Sequence, residues 1–409
     1  MNLTPAVMTA SKTADVPSQR PGTEATLRIL HLIPSLRYGG AENQLLQIVR
    51  HLSARGHEHS IVTMLEPDLD NAMPLDPARI HVKSLRMRRG TPSLAGFSNF
   101  CRLLRSERPQ ILHTWMYHAN LLGLVAGKIA GVPNIVWAIR CSDMDFSKYS
   151  LLSRLVFNTG AVLSRWPDVI VFNSRAGIAV HSQHGFANRD IEFIPNGIET
   201  RRFRPDADAR ASVRNELGCG TSDMLVGHFA RFDPMKDQAT FIRGAALIRR
   251  TVPAVRFLMA GTGVTAQNAA LVGMLRQANL LDCFSLLGVR SDIPRLMAAL
   301  DLFCSTSAFG EGFSNVVGEA MASGVPCVVT NVGDSAEIVG DSELVVPPGD
   351  PNAFAQACVR ILVMPADHRA RIGLNSTERI RENFELQIVH AQYEALYQRL
   401  GNAPLNGSN

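Results

Sequence analysis

Residues 27–56 read LRILHLIPSLRYGGAENQLLQIVRHLSARG. Leu27 to Ile33 is a short apolar run closed by Pro34. A brief, aliphatic run of this kind suits a strand buried on both faces. From Ala41 to Arg55 the pattern changes: Leu45, Ile48, Val49 and Leu52 fall at helical spacing, and Gly56 ends the stretch. A buried strand followed by an amphipathic helix is the opening unit of a parallel sheet.

The same alternation continues along the chain. Strands are expected at Ser60–Leu65, Ile80–Val82, Gln110–His113, Asn134–Ile139, Asp168–Phe172 and Ile191–Ile194, with helical stretches between most of them. After Pro195-Asn196-Gly197 the chain turns polar, rich in Arg and Asp from Glu199 to Asp223. A second series then begins at Met224–Ala230 and continues through Val255–Ala260, Phe284–Leu287, Asp301–Cys304 and Val325–Val329. Turn residues and charge replacing apolar runs mark a domain boundary near 195–205. The fold class is therefore α/β: two doubly wound, Rossmann-like parallel-sheet domains. The expected limits are a disordered tail over 1–26, one domain over 27–198 and a second over 199–384. The remainder, 385–409, is a final helix at Glu385–Leu400 plus a short tail. Ligands of such sheets bind beyond the carboxyl ends of the strands, so the residues just after each strand matter most.

Composition sets the outer limits. The chain has 409 residues, 46% hydrophobic and 19% charged, enough to build real cores. No apolar run reaches the roughly 18 residues needed to cross a bilayer. The first 26 residues lack an apolar segment and are not expected to be a signal peptide. Seven scattered cysteines without a CxxC pair fit neither a disulfide framework nor a zinc site, and several lie in apolar runs. A reducing, cytoplasmic compartment is expected. The formal charge of +5 is uneven. Residues 27–200 hold 19 Lys and Arg against 13 Asp and Glu, with a cluster at Arg86, Arg88 and Arg89; residues 201–400 hold 20 against 21. Such a basic patch suits anionic headgroups or a phosphorylated acceptor.

The strongest chemical signal runs from Phe309 to Pro326, FGEGFSNVVGEAMASGVP. Ser314 or Asn315 can cap a helix that ends at Gly324. Glu311 precedes that helix and Glu319 lies about a turn inside it. A helix start is suited to an anion, and a carboxylate on each side of it is suited to sugar hydroxyls. Next comes Val226 to Lys236, VGHFARFDPMK, where Arg231 and Lys236 follow a buried strand. A planar guanidinium and a compact ammonium together can neutralise a diphosphate. Gly39 and Gly40, within Tyr38-Gly39-Gly40-Ala41-Glu42, let the backbone approach a ligand closely. Neither they nor Gly261-Thr262-Gly263 have the spacing of a dinucleotide fingerprint. His113 and His118 flank Trp115 after the fourth strand. Asp143/Asp145, Asp68/Asp70 and Asp206/Asp208 all have DxD spacing. Three matches in one chain show how cheap that pattern is, and no metal site is expected.

These residues resemble the retaining GT-B-fold glycosyltransferases of the group 1, family 4 type, which include bacterial polysaccharide and lipid-glycan transferases. The resemblance spans roughly residues 27–400 and is most specific at Glu311, Glu319 and the following Ala-Met-Ala-Ser-Gly-Val-Pro. It includes Arg231 with Lys236, Ile194-Pro-Asn-Gly-Ile198, Gly288-Val-Arg290-Ser-Asp292, and Gly39-Gly40-Ala41-Glu42. Asp334 stands where many relatives have Gly. The resemblance implies a central cleft between the two domains. It gives Arg231 and Lys236 the departing nucleoside diphosphate and Glu319 the ribose. Glu311, with the amides of Gly312 and Phe313, would hold the sugar, together with the Ser314, Asn315 and Val316 turn. Arg290 would meet the base and His118 would contact the sugar from the first domain, with His113 and the Trp115 position as alternatives. The final helix would cross back onto the first domain.

The function implied is retaining, metal-independent transfer of a sugar from a UDP- or GDP-sugar to a glycan or lipid-linked acceptor, in polysaccharide biosynthesis and without a cofactor. The alternatives are a sugar-nucleotide epimerase or hydrolase on this fold, or a non-catalytic subunit of a glycan-assembly complex. No nucleic-acid partner is expected. Leu151–Leu163, with Arg154 inside it and Arg165 just after it, suits either a core helix or peripheral attachment to the inner face of a membrane.

Overall fold

A computed structural model describes residues 26–36, 39–67, 80–142, 151–187, 189–220 and 222–402. Tyr38, Asp68, Asp70, Asp143, Asp145 and the tail through residue 25 lie outside the described residues.

In the first half the elements are β1 (Arg28–Ile33), α1 (Gly40–Ala54), β2 (Glu58–Thr63), β3 (Ile80–Ser84), α2 (Leu94–Glu107), β4 (Ile111–Trp115), α3 (Tyr117–Ala130), β5 (Asn134–Ile139), α4 (Leu151–Leu163), β6 (Val169–Phe172), α5 (Arg175–Gln183) and β7 (Ile191–Phe193). The second half holds α6 (Ala207–Glu216), β8 (Met224–Phe229), α7 (Gln238–Thr251), β9 (Val255–Ala260), α8 (Ala269–Gln277), β10 (Phe284–Leu286), α9 (Ile293–Ala298), β11 (Leu302–Ser305), α10 (Asn315–Ala322), β12 (Cys327–Thr330), α11 (Ser335–Val339), β13 (Val345–Val346), α12 (Pro351–Leu362), α13 (Ala366–Asn383) and α14 (Leu386–Asn402).

Among the described residues these strands form two sheets, ordered β3-β2-β1-β4-β5-β6-β7 and β10-β9-β8-β11-β12-β13. Every pairing is parallel. The order reverses beside β1 and beside β8, so each sheet has a switch point with a crevice beyond it. The two-residue β13 escaped the sequence reading because two residues carry no period. Otherwise the strands fall within a residue or two of the expected positions.

The first sheet is buried on both faces, which is why its strands read as continuous apolar runs. Leu45, Ile48, Val49 and Leu52 of α1 cover one face together with Val389, Tyr393, Leu396, Tyr397 and Leu400 of α14. Helices α2, α3 and α4 cover the other. The second sheet shares one continuous core with its helices. The chain crosses between the domains twice, and the crossings run side by side. Ile198 N–H donates to the Phe384 carbonyl at 2.8 Å, and Leu386 N–H donates to the Ile198 carbonyl at 3.0 Å. Gly197 permits this: a Cβ there would sit 2.9 Å from the Leu386 Cα. All seven cysteines are free and five are buried, so they pack as small hydrophobes.

Two histidines, His31 and His113, lie under α14, and His59 stacks on His31. His31 Nε2 meets His59 Nδ1 at 3.0 Å, Trp115 Nε1 donates to His31 Nδ1 at 3.3 Å, and His113 Nδ1 lies 2.6 Å from the Tyr397 hydroxyl. The second nitrogens of His59 and His113 are buried without a partner among the described residues. Burial first, then neighbouring charge, pushes His59 and His113 down to about 3 and lowers His31 well below the usual imidazole range. The folded protein keeps these rings neutral while the unfolded chain takes up protons below about pH 6.5, so stability is full above that pH and falls as pH drops toward 3. His59 and His113 should each cost roughly 2 kcal/mol between pH 7 and pH 5. All three tryptophans, Trp115, Trp137 and Trp166, belong to this domain. The urea midpoint read from tryptophan emission should therefore fall over that interval; a pH-independent midpoint would contradict it.

Candidate active site

A cleft of about 680 Å³ opens where the carboxyl ends of the two sheets face each other. Its walls come from the ends of several strands. Beyond β1 and into α1 lie Gly39, Gly40 and Glu42; beyond β4 lie Met116, Tyr117 and His118; after β5, β6 and β7 come Arg140, Asn173 and Asn196. The second domain contributes Arg231 and Lys236 after β8, and Gly310 through Val316 from the loop after β11 into the first turn of α10. Every candidate except Glu319, Arg290 and the alternatives His113 and Trp115 lines this one space.

Lys236 sits on a short 3₁₀ turn, Pro234–Lys236, started by Asp233, whose carboxylate accepts from Met235 N–H at 2.9 Å. The Thr306 hydroxyl donates to the carbonyls of Lys236 and Asp237 at 3.1 and 3.2 Å, which fixes the turn against β11. The Lys236 ammonium pairs directly with Glu311 Oε1, and Ser307 Oγ donates to the same oxygen at 2.7 Å. Burial raises the Glu311 carboxyl, but the Lys236 charge and these hydrogen bonds outweigh it and hold it below the usual range. Arg231 is half exposed, its Nε 3.0 Å from Asp233. It also eases the burial that raises Glu42 across the cleft. The lining carries four cations, Arg89, Arg140, Arg231 and Lys236, against two carboxylates, Glu42 and Glu311. The lining thus has excess positive charge, suited to a di-anion.

The loop Gly310–Ser314 leads into α10. Ser314 holds the N-cap position but makes no capping bond. Its hydroxyl is buried with no partner among the described residues, as are Asn173 Oδ1 and Arg140 Nε. Three unsatisfied polar atoms around one cleft, beside an uncapped helix start, are what a polar ligand would satisfy. Backbone strain collects here too. Met116, just before α3, has φ 69° and ψ 158°, a region used almost solely by glycine, and Asp237, after Lys236, has φ 44°.

His118 lies in the first turn of α3 and lines the cleft, whereas His113 and Trp115 are buried beneath α14. Geometry thus separates three positions that sequence left open. Glu319 does not line the open space; it lies one turn along α10 from Val316 on the same face. Burial pushes its carboxyl up to about 7, eased by Arg202. Arg290 is also absent from the lining: its guanidinium forks onto both Asp292 oxygens at 2.7 Å and reaches Glu216 at 3.3 Å. Asp206, from the DxD set, caps α6 by accepting from Ala209 N–H at 2.8 Å.

Sequence reading did not single out Arg140 or Asn173; it quoted Glu42 and Asn196 only within motifs, without a role of their own, and Arg89 only within the basic patch. Arg140 and Asn173 were findable, because each directly follows a buried strand. Asn196 joins them: Arg140 and Asn173 donate to its Oδ1, and its Nδ2 lies 2.5 Å from Asn315 Oδ1 of the second domain.

Two family descriptions match the chain in succession. Glycosyltransferase Family 4 covers residues 38–202 and Glycosyl transferases group 1 covers residues 223–363. The chain is 26% identical to N-acetyl-alpha-D-glucosaminyl L-malate synthase of Bacillus anthracis, over 90% of this chain and 96% of that one. It is 25% identical to UDP-Gal:alpha-D-GlcNAc-diphosphoundecaprenol alpha-1,3-galactosyltransferase of Escherichia coli, over 70% and 77%. HepE of Anabaena, solved in complex with UDP and glucose, superposes with a TM-score of 0.77 at 22% identity, over 91% of this chain and all of that one.

The loop depends on Gly333, at φ 58°, where a Cβ would lie 2.2 Å from the Glu311 carbonyl oxygen and 2.6 Å from that of Gly312. Both obstacles are backbone, so Gly333→Ala should cost roughly 1–3 kcal/mol and push the loop away. Asp334 N–H donates to the Gly312 carbonyl at 3.0 Å. A lower melting temperature together with faster amide exchange at Asp334 is the expected result; wild-type values for both would contradict it.

Proposed function

Because the chain belongs to the group 1, family 4 glycosyltransferases and is an enzyme of that class, we propose that its cleft binds a nucleoside-diphosphate sugar and transfers the sugar with retention to a lipid-linked glycan acceptor. The observation that carries this reading is the convergence of Arg231, Lys236, Glu311 and the uncapped start of α10 on one cleft between two sheets. UDP is the first candidate for the nucleotide, supported by HepE with UDP and by the UDP-galactose-dependent relative.

The chemistry follows from the charges. As the bond from the anomeric carbon to the diphosphate oxygen lengthens, negative charge grows on the diphosphate. Lys236 and Arg231 stabilise that charge without moving far. Glu311, ionised and fixed by Ser307, accepts from hydroxyls of the transferred sugar, and His118 meets the same sugar from the opposite wall. Glu319, behind Val316, accepts from the ribose. The acceptor hydroxyl attacks from the face the diphosphate leaves, and a departing diphosphate oxygen takes its proton. No second carboxylate is then required behind the anomeric carbon, unlike in a retaining glycosidase. The cations in the lining do the neutralising that a metal does elsewhere.

The acceptor side supports a membrane-bound substrate. Helix α4 exposes Leu151, Leu155 and Val162 in one stripe, which Trp166 extends, with Arg154 and Arg165 alongside. The neighbouring α3 exposes Val125 and Ile129. Arg86, Arg88 and Arg89 are exposed, and Arg89 reaches the cleft. Apolar side chains flanked by arginines match the surface of an anionic bilayer. No helix among the described residues is long and apolar enough to cross a membrane.

Lys236→Ala should lower turnover by roughly two to three orders of magnitude, the loss seen when one oxyanion donor is removed. Unchanged transfer in that variant would end the assignment. A thermal-shift screen should show UDP or GDP, and their sugar conjugates, raising the melting point of the wild type. For the surface, vesicles containing phosphatidylglycerol should sediment the protein and phosphatidylcholine vesicles should not. Leu155→Glu with Val162→Glu should weaken sedimentation by roughly tenfold; equal sedimentation of that variant would remove the membrane from the reading.

A further inference from the structure

The two domains are fastened to each other beside the cleft by a side chain none of the proposed chemistry uses. Asp334 follows Gly333 in the turn between β12 and α11, in the second domain. Its carboxylate reaches the start of α5 in the first domain. Asp334 Oδ1 accepts from Ser174 Oγ at 2.8 Å and from Ala176 N–H at 2.9 Å, and Oδ2 accepts from Arg175 N–H at 2.7 Å. Ser174 is itself the N-cap of α5, its Oγ accepting from Gly177 N–H at 2.9 Å. Three donors at the helix start are thus satisfied by a carboxylate from the other domain, and Asp334 is 4% exposed.

A second pair reinforces it. Arg175 Nε lies 3.0 Å from Glu337 Oε1, with the guanidinium 4.3 Å above the Phe193 ring. On its other side Asp334 is tied to the donor loop, since its N–H donates to the Gly312 carbonyl at 3.0 Å. Gly312 lies against the first domain: a Cβ there would sit 2.7 Å from Asn173 Oδ1 and 3.0 Å from the Arg140 carbonyl. The Ser142 hydroxyl donates to the Glu311 carbonyl in the same seam. One residue therefore joins the start of α5, the turn after β6 and the loop holding Glu311.

We propose that Asp334 is an interdomain positioning residue: by capping α5 from the second domain it latches the cleft closed and sets the Glu311–Gly312 loop in its working position. The role in transfer rests on the donor-site reading above; the latch itself does not. When the domains part, the amides of Arg175 and Ala176 lose their acceptor and face water. Closure and loop placement are then one event, because the side chain makes the interdomain bonds while the backbone of the same residue holds Gly312.

The test uses the full chain and the variants Asp334→Ala, Asp334→Asn, Arg175→Glu, Glu337→Arg and the double charge swap. In Asp334→Ala, exchange of the Arg175 and Ala176 amides should accelerate at least tenfold while amides within β6 keep wild-type rates. The radius of gyration from solution scattering should increase. The value of kcat/KM should fall at least tenfold, while UDP or GDP, whichever binds the wild type, keeps its Kd within about threefold. Asp334→Asn retains one acceptor oxygen and should fall between the two, so the comparison survives if the alanine variant folds poorly. Arg175→Glu or Glu337→Arg alone should expand the molecule, and the double swap should restore compactness and activity. Wild-type exchange and scattering in Asp334→Ala and Asp334→Asn would overturn the latch. Failure of both nucleotides to bind the wild type would instead overturn the donor-site reading, and the exchange and scattering results would still decide the latch.

Discussion

The ion pair between Lys236 and Glu311 sets the terms for everything around the cleft. Both side chains are largely withdrawn from water, at 14% and 8% exposure. Two such charges are costly to hold unless their geometry and remaining hydrogen bonds are nearly complete. The surrounding structure supplies that completeness. Ser307 donates to the carboxylate, Thr306 anchors the turn that carries the ammonium, and Ser142 holds the Glu311 backbone from the opposite domain. A cation is thereby kept ready at the cleft floor without leaving an unpaired charge.

That arrangement requires backbones to come closer than side chains allow. Gly333 packs on the carbonyls of Glu311 and Gly312, and Gly312 packs on the Arg140 carbonyl. Gly40 leaves room for Asn315, whose amide nitrogen would lie 3.2 Å from a Cβ there. Asn196 then bridges the seam between Arg140, Asn173 and Asn315. The strain at Met116 and Asp237 lies at the same boundary. Residues in sparsely populated conformations persist where the surroundings over-determine them, and they gather at sites that bind or react. The stability needed to hold them comes from elsewhere, above all from α14 sealing the first sheet and from the continuous core of the second domain.

Asp334 shows how such a site is coupled to domain geometry. A helix start leaves amide donors unsatisfied, and any acceptor at the right distance completes it. Here the acceptor belongs to the other domain, so one helix end is complete only while the domains are together. Sequence alone could register only that an acidic residue follows Gly333. It could not say which amides that residue meets, because the start of α5 lies some 160 positions away in sequence, the separation of the Ser174–Asp334 bond.

The local pattern by itself determined the two runs of alternating strand and helix, their limits to within a residue or two, and the motifs that follow the strands. Strands buried on both faces must be apolar throughout, and helices with one buried face must repeat with the helical period; these are local rules. It also marked Arg231, Lys236, Glu311 and His118, because each lies just beyond a strand, where sheets of this kind bind their ligands. Only the tertiary structure placed His118 in the cleft lining and His113 in the core, paired Arg290 with Asp292, and brought Glu42, Arg140, Asn173 and Asn196 to the cleft. Those outcomes depend on which side chain reaches an available partner first across the domain boundary, and distance in space is not written in the spacing of residues along a chain.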